Sequence, residues 1–396
     1  MLRPSTSIPR RGRGPLWRDP AIRALVAQAV LLIVLALVIG LLIHNTLLNL
    51  EARGIRTGFG FLDGRAGFPI SQTLLEYTSD STYGHTFLIG LLNTLLVSAL
   101  GIIAATLIGF AVGIARLSPN WLLSRLATCY VELFRNIPLL LQILFWYFAV
   151  LRSLPSPRQS LSLFDAFYFN VRGMVMPGPE TQAGFSATPI ALLIAIAATI
   201  GLVIFNRRRQ AQTGQRLPMG WIGLGLIIGL PVVVFLLTGS PLHWNVPELA
   251  GFNFRGGVQI LPELLALWLA LSIYTAAFIA EIVRSGIQSV PRGQVEAANA
   301  LSLPGGVTLR KVVIPQAMRV IVPQMTSQYL NLIKNSSLAT AIGYPDLVAV
   351  FAGTTLNQTG QAIEIIAMTM AVYLVISLVV SFLMNIYNAR VAIKER

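Results

Sequence analysis

Charged residues are scarce in this chain of 396 residues: Asp, Glu, Lys and Arg make up 11% of it, where an average soluble protein carries about 25%. Hydrophobic residues account for 55%, and the mean hydropathy is +0.71. An ordinary soluble domain is thereby excluded, and the composition describes a polytopic membrane protein. A single cysteine, Cys129, excludes an internal disulfide and any cysteine cluster for a metal. It sits in an apolar run, where an inert, buried thiol is expected. The three histidines, His44, His85 and His243, lie far apart and lack metal-ligand spacing. No GxxxxGK[ST] phosphate loop occurs, so the chain has no visible means of handling ATP itself. The apolar stretches also hold too few histidines and carboxylates for a membrane-embedded enzyme.

What the chain does have is a series of long apolar runs. About twenty consecutive apolar residues cross a hydrocarbon core of about 30 Å. By that measure eight spans are expected: Ala24 to Ile43, Phe87 to Ile114, Leu126 to Leu151, Ile190 to Phe205, Trp221 to Leu237, Leu264 to Ala280, Met325 to Val350 and Ile363 to Ile386. The first follows a basic, Pro- and Gly-containing tail; it exceeds a signal-peptide core and lacks a small-x-small cleavage site after it, which favours a retained helix. Gly109 and Gly113 stand at GxxxG spacing, a mark of close helix packing. Pro138 is expected to kink the third span just beyond Glu132 and Arg135, which stand three apart and can neutralise each other on one face. The seventh is expected to be bent or broken, since KNSS at 334–337, Gly343 and Pro345 interrupt it.

Net charge +14 could point to nucleic acid or to an anionic surface, and placement decides between them. With the N-terminus inside, 20 of the 29 Lys and Arg fall on the cytoplasmic side, seven on the opposite side and two, Arg135 and Lys334, within spans. The basic balance is therefore a matter of topology, with both ends cytoplasmic. Nucleic-acid binding loses its motivation.

The stretch from Glu281 to Pro323 is set apart from the membrane runs around it. It holds Arg284, Arg292, Arg310, Lys311 and Arg319 and cannot cross a bilayer. Val295, Ala298 and Leu301 recur at helical spacing with Glu296 and Asn299 on another face, which describes a short amphipathic helix. Pro304, Gly305 and Gly306 are expected to stop it, and Pro315 to end or kink the basic helical piece that follows. Lys334, about nine residues into its span, lies on the order of 14 Å deep. An ammonium there needs a carboxylate, carbonyls at the helix break, or the carboxylate of a substrate.

Several of these stretches together resemble one known family. Glu296, Ala297 and Ala298, then Ser302, then Ile314 and Pro315 resemble the EAA signature (EAA, Gly, then I-x-L-P) of membrane subunits of ABC importers. The signature departs at two positions: its glycine is Ser302, and its leucine before the final proline is Ile314. GLLNTLLVSALG, YVELFRNIPLLLQILFWYF and LNLIKNSSLATAIGYPDL look like the first, second and broken fourth core helices of the polar amino-acid permeases in that group. The likeness covers roughly residues 86–151 and 262–390. The additional N-terminal span and the inserted residues 152–262 are similar to the larger permease of general L-amino-acid importers.

That resemblance implies an all-α polytopic membrane fold: the five-helix core of a type I ABC importer in 86–151 and 263–390, an N-terminal unit over 1–85, and an inserted helix pair. It implies a bacterial inner-membrane subunit that moves polar or broad-range L-amino acids inward by alternating access. Implied partners are a second permease subunit, an ABC ATPase pair and a periplasmic amino-acid-binding protein, with ATP and Mg on the ATPase and no cofactor on this chain. The loop 284–323 would couple to the ATPase through Glu296, Ala297, Ala298, Ser302, Ile314 and Pro315. Candidates for the substrate path or its gating are Asn331, Lys334, Asn335, Ser336 and Ser337, with Glu132 and Arg135. The rival reading is an ion-gradient-driven secondary amino-acid transporter, which broken helices and buried charges suit equally; such a protein usually shows internal repeats, and none is convincing here.

Overall fold

The computed structural model describes residues 20–52, 54, 57–214 and 217–391. The basic N-terminal tail and the last residues, Lys394 and Arg396 included, lie outside the described residues. In chain order the helices are α1 (Pro20–Ala52), α2 (Tyr83–Ala115), α3 (Trp121–Asn136), α4 (Leu139–Leu144), α5 (Ala187–Thr213), α6 (Met219–Leu237), α7 (Pro262–Gln288), α8 (Arg292–Ala300), α9 (Gly305–Thr308), α10 (Ile314–Asn335), α11 (Leu356–Thr359) and α12 (Ala362–Val391). Among the described residues six of these, α1, α2, α5, α6, α7 and α12, are long and apolar enough to span a bilayer. A seventh is the pair formed by α3 and the segment Leu139–Leu151, bent by 105°. The remaining expected span, Met325 to Val350, is the second half of α10 with the irregular stretch after it; Lys334 within it and Arg319 ahead of it make this segment less apolar than the rest.

The core is the packing of α2 on α7. Gly109 and Gly113 carry this contact: a Cβ on Gly109 would sit 2.6 Å from Cβ of Ile279, and one on Gly113 would sit 2.8 Å from the carbonyl oxygen of Ala280. The two glycines thus let the backbones approach as the GxxxG spacing predicts. Ile279, Ala276 and Val283 are buried in the seam. Gly286 of α7 meets Ile321 of α10 in the same way, which brings α10 against the far face of α7.

Proline breaks the third span more severely than a kink. Ile137, which precedes Pro138, is extended (φ −97°, ψ 127°), as the pyrrolidine ring demands of its neighbour. The chain therefore leaves α3 altogether and restarts at Leu139. Carbonyls freed at such a break need donors inside a membrane. Gln142 supplies them, donating from Nε2 to Phe134 (3.0 Å) and Ile137 (2.9 Å).

At Pro315 the opposite holds. The helix neither ends nor turns there, because the backbone runs from α9 through a wide π-type turn at Leu309–Val313 directly into α10. In that turn the N–H of Ile314 bonds back to Leu309, and Pro315 occupies the first turn of α10, where a missing N–H costs little.

The stretches before and after the α5–α6 hairpin contain eight short strands: β1 (Leu161–Leu163), β2 (Phe167–Asn170), β3 (Gly173–Met176), β4 (Gly178–Thr181), β5 (Leu242–Asn245), β6 (Glu248–Ala250), β7 (Asn253–Arg255) and β8 (Val258–Ile260). All pairs are antiparallel, in the orders β1-β2-β3-β8, β4-β5 and β6-β7. Strands from before and after the α5–α6 hairpin pair with each other, so both ends of the hairpin lie on one side. Gly173 (φ 105°) is required at the β2–β3 turn, since a Cβ there would fall on the carbonyl of Ile260.

Candidate coupling loop and substrate path

The segment after α7 forms a short exposed helix with a defined stop. In α8 Ala298 is buried and Val295 half-buried, while Glu296 and Ala297 are exposed. Leu301 does not join the inward face as its spacing suggested; it stands at the helix end, 74% exposed. The stop lies ahead of Pro304. Leu303 donates to Ala298 (3.1 Å) and Ser302 to Asn299 (2.8 Å), a Schellman pair of bonds closed by Ser302 at φ 55°. A left-handed residue at that place explains why the signature carries glycine there, and Ser302 adopts the conformation nonetheless. Gly305 and Gly306 then belong to the first turn of α9. Glu296 caps nothing in its own helix, whose start makes no side-chain capping bond. Ile314 and Pro315 are both exposed on the first turn of α10.

From Pro315 the helix α10 leads to the second group of candidates, nineteen residues on at Lys334 and hence about 28 Å away. Gln324, Ser327, Asn331 and Lys334 are exposed along it, and their spacing of three and four residues puts them on one face. Among the described residues no carboxylate pairs with Lys334. Asn335 is half-buried; Ser336 is buried and donates to Ile333 (2.7 Å), and Ser337 donates to Lys334 O (2.7 Å). The two serines thus serve the helix break, and only Asn331 and Lys334 of this run share the exposed face.

The break itself is held by α2. Asn93 donates to Pro345 O (2.8 Å) and to Gln72 O (2.9 Å), Thr94 accepts from the Leu347 N–H (3.0 Å), and Tyr344 donates to Asn93 O (3.3 Å). Asn93 and Thr94 thus satisfy the irregular backbone at Pro345 and Leu347. The loop 57–82 lies over the same region: Gly58 donates to Glu364 and Phe61 stacks on Phe351, while Tyr83, which opens α2, donates to Gln358. A cavity of about 540 Å³ remains between Phe68–Ser71 and the break, lined also by Thr340, Pro345 and Thr354.

Glu132 and Arg135 do not pair. Both are exposed, and the Arg135 guanidinium lies 5.1 Å from the ring centroid of Phe278 on α7. Cys129 on the same helix is exposed rather than buried, because Ala127 and Val131 take the inward face of α3. A charge cluster stands where none was anticipated: Glu281 on α7 bonds Arg116 from the end of α2 and Arg284 from its own next turn. Glu281 and Arg284 are three apart, the one signal the sequence offered; Arg116 comes from a distant helix.

With this geometry in view, likeness to known proteins becomes specific. Residues 208–393 match the family described as binding-protein-dependent transport system inner membrane component. YhdX of Escherichia coli (strain K12), named as an amino-acid ABC transporter permease, is 59% identical over 380 residues, which are 96% of this chain and 97% of YhdX. The chain belongs to the amino-acid ABC transporter permeases. The permease is also 51% identical over 394 residues to AapQ of Rhizobium johnstonii, a general L-amino acid transport system permease protein, with 98% of each chain covered. It is 43% identical over 409 residues to BztB of Rhodobacter capsulatus, a glutamate/glutamine/aspartate/asparagine transport system permease protein, with 96% of each covered. The permease is thus the multi-pass membrane component of an ABC importer for amino acids and not itself an enzyme. The secondary-transporter reading is not favoured. Membership in this family brings an ATPase and a binding protein as partners in general terms.

Proposed function

We propose that this permease imports a broad range of polar L-amino acids from the periplasm to the cytoplasm across a bacterial inner membrane, with both termini cytoplasmic. The range follows the names of AapQ and BztB, which read general L-amino acids in one case and acidic amino acids with their amides in the other. A second permease subunit stands beside it, an ATPase pair with its ATP and Mg lies beneath, and an amino-acid-binding protein delivers substrate outside. The observation that carries the reading is the exposed surface of α8. Ala297 and Ala300 leave room for close approach, Leu301 offers an apolar side chain, and the Glu296 carboxylate has no partner among the described residues. That is an apolar patch with one charge, open toward a partner.

In this mechanism closure of the ATPase pair moves α8, and α10, which continues from the same loop, carries the shift toward its polar face. The exposed Asn331 and Lys334 face the path shared with the second permease subunit, since lipid would not accept them. The two accessible states differ in which side of the path is open, and ATP shifts the population between them. Replacing Glu296 by Lys tests the coupling role. Capping is worth only about 0.3 to 1 kcal/mol, whereas a lost interfacial charge contact costs about 2 to 5 kcal/mol. The variant is expected to reach the membrane in normal amount and to lose ATPase recruitment and uptake. Near-normal uptake at normal abundance would overturn it.

A further inference from the structure

Beside the polar face of α10, toward the coupling side, α3, α7 and α10 border an open pocket of about 360 Å³ lined by Arg135, Phe278, Glu281, Ser285, Gln324 and Gln328, among others. Its volume sits at the low end of small-molecule sites, which run from about 300 to 1,000 Å³. Ser285 lies three residues before the end of α7 at Gln288, and Glu281 seven. The pocket is therefore within about 10 Å of that end of the helix. Gln328 and Gln324 precede Lys334 by six and ten residues, or roughly 9 to 15 Å along α10.

The charges in this pocket are unequally satisfied. Glu281 is committed to Arg116 and Arg284. Arg135 is held over the face of Phe278 and makes no ion pair or side-chain hydrogen bond among the described residues. A guanidinium stacked on an aromatic ring keeps its N–H edges free, in the planar fork that fits a carboxylate. Around it Gln324, Ser327, Gln328 and Ser285 offer neutral oxygens that accept from an ammonium, and amide N–H groups that suit polar side chains. A cation without a partner beside neutral acceptors is complementary to a zwitterion.

We propose that this pocket is a second, inward binding station for a free amino acid, in which Arg135 takes the α-carboxylate and the oxygens of Gln324, Ser327 and Gln328 take the α-ammonium. The inference rests on the amino-acid import reading above. Because the carboxylate is common to all amino acids, Arg135 serves affinity for every substrate, while the amides and Ser285 meet side chains that differ. The station also adjoins the Arg116–Glu281–Arg284 cluster on the helix that leads into α8, so a movement of α8 reaches its wall through α7.

The test uses the intact transporter, purified with its co-purifying subunits and reconstituted in liposomes, with Cys129→Ser and Ser327→Cys in the permease. Uptake of L-glutamine, L-asparagine, L-glutamate and L-aspartate is measured first, and then labelling of the new thiol by an anionic thiosulfonate from the cytoplasmic face. Saturating L-glutamine is expected to slow labelling at least about fivefold, and the corresponding amine without the α-carboxylate is not. Adding Arg135→Gln should abolish the protection and weaken uptake of all four amino acids by a similar factor, about ten- to a hundredfold for a charge-assisted contact; Arg135→Lys should retain part of it. Gln328→Cys serves as the reporter if Ser327→Cys does not assemble. Labelling unaffected by an amino acid that the same preparation transports, or protection that survives Arg135→Gln, would overturn the station and leave the import reading standing. A wild-type complex that transports none of a wide set of amino acids would instead remove the import reading, and the station with it.

Discussion

Gln142 donates through one nitrogen to two carbonyl oxygens, those of Phe134 and Ile137, and so closes the break between α3 and α4 with a side chain from the far side of the break. The residue is buried. Its amide stands in for the N–H that Pro138 lacks, which would have served Phe134, and for the Leu141 N–H, which bonds Pro138 O (3.1 Å) and not Ile137 O.

Removing that amide is expected to be costly. Gln142→Leu keeps the volume and leaves two carbonyls without a donor, at about 1 to 3 kcal/mol for each buried group left unsatisfied. Thermal unfolding in detergent should shift to lower temperature, and Gln142→Glu should not rescue it, because an ionised carboxylate can only accept. A variant as stable as the wild type would show that lipid or water satisfies those carbonyls.

Ser302 gives a prediction of the opposite sign. At φ 55° a serine is strained where glycine is not, so Ser302→Gly should stabilise the loop by roughly 1 kcal/mol. Ser302→Val, β-branched in the same conformation, should destabilise it by more. Hydrogen exchange of the amides from 292 to 303 reads both changes, with protection rising for glycine and falling for valine.

The membrane path is checked by accessibility. In a Cys129→Ser background, single cysteines at Thr73, Gln159 and Asn357, all exposed, should react with an impermeant reagent added outside. One at Gln212, exposed in the last turn of α5, should not. An outside-reactive site at Gln212 would reverse the orientation proposed from the distribution of Lys and Arg.

The parts of the permease that were legible in its sequence are those set by local chemistry. Runs of apolar residues fix where helices cross, since length and hydropathy alone decide solubility in hydrocarbon. Gly109 and Gly113 foretell a close helix contact, because the absence of two side chains on one face is itself the signal. The EAA stretch marks α8, and Ser302 stands where its backbone turns left-handed.

What the sequence left open was settled by partners distant in the chain. Glu132 and Arg135 satisfy the three-residue spacing of an ion pair, yet Arg135 lies against Phe278, more than a hundred residues away, because α3 packs on α7. Pro138 breaks a helix where Pro315 does not, and the difference lies in what surrounds each ring: an extended Ile137 in one place, a widened turn in the other. The strands on either side of the α5–α6 hairpin are too short to announce themselves and exist because they pair with each other. Length, charge and spacing determined which segments are apolar enough to enter a membrane; packing of α3, α7 and α10 against one another decided which polar groups are left without partners among the described residues, because those neighbours come from distant parts of the chain.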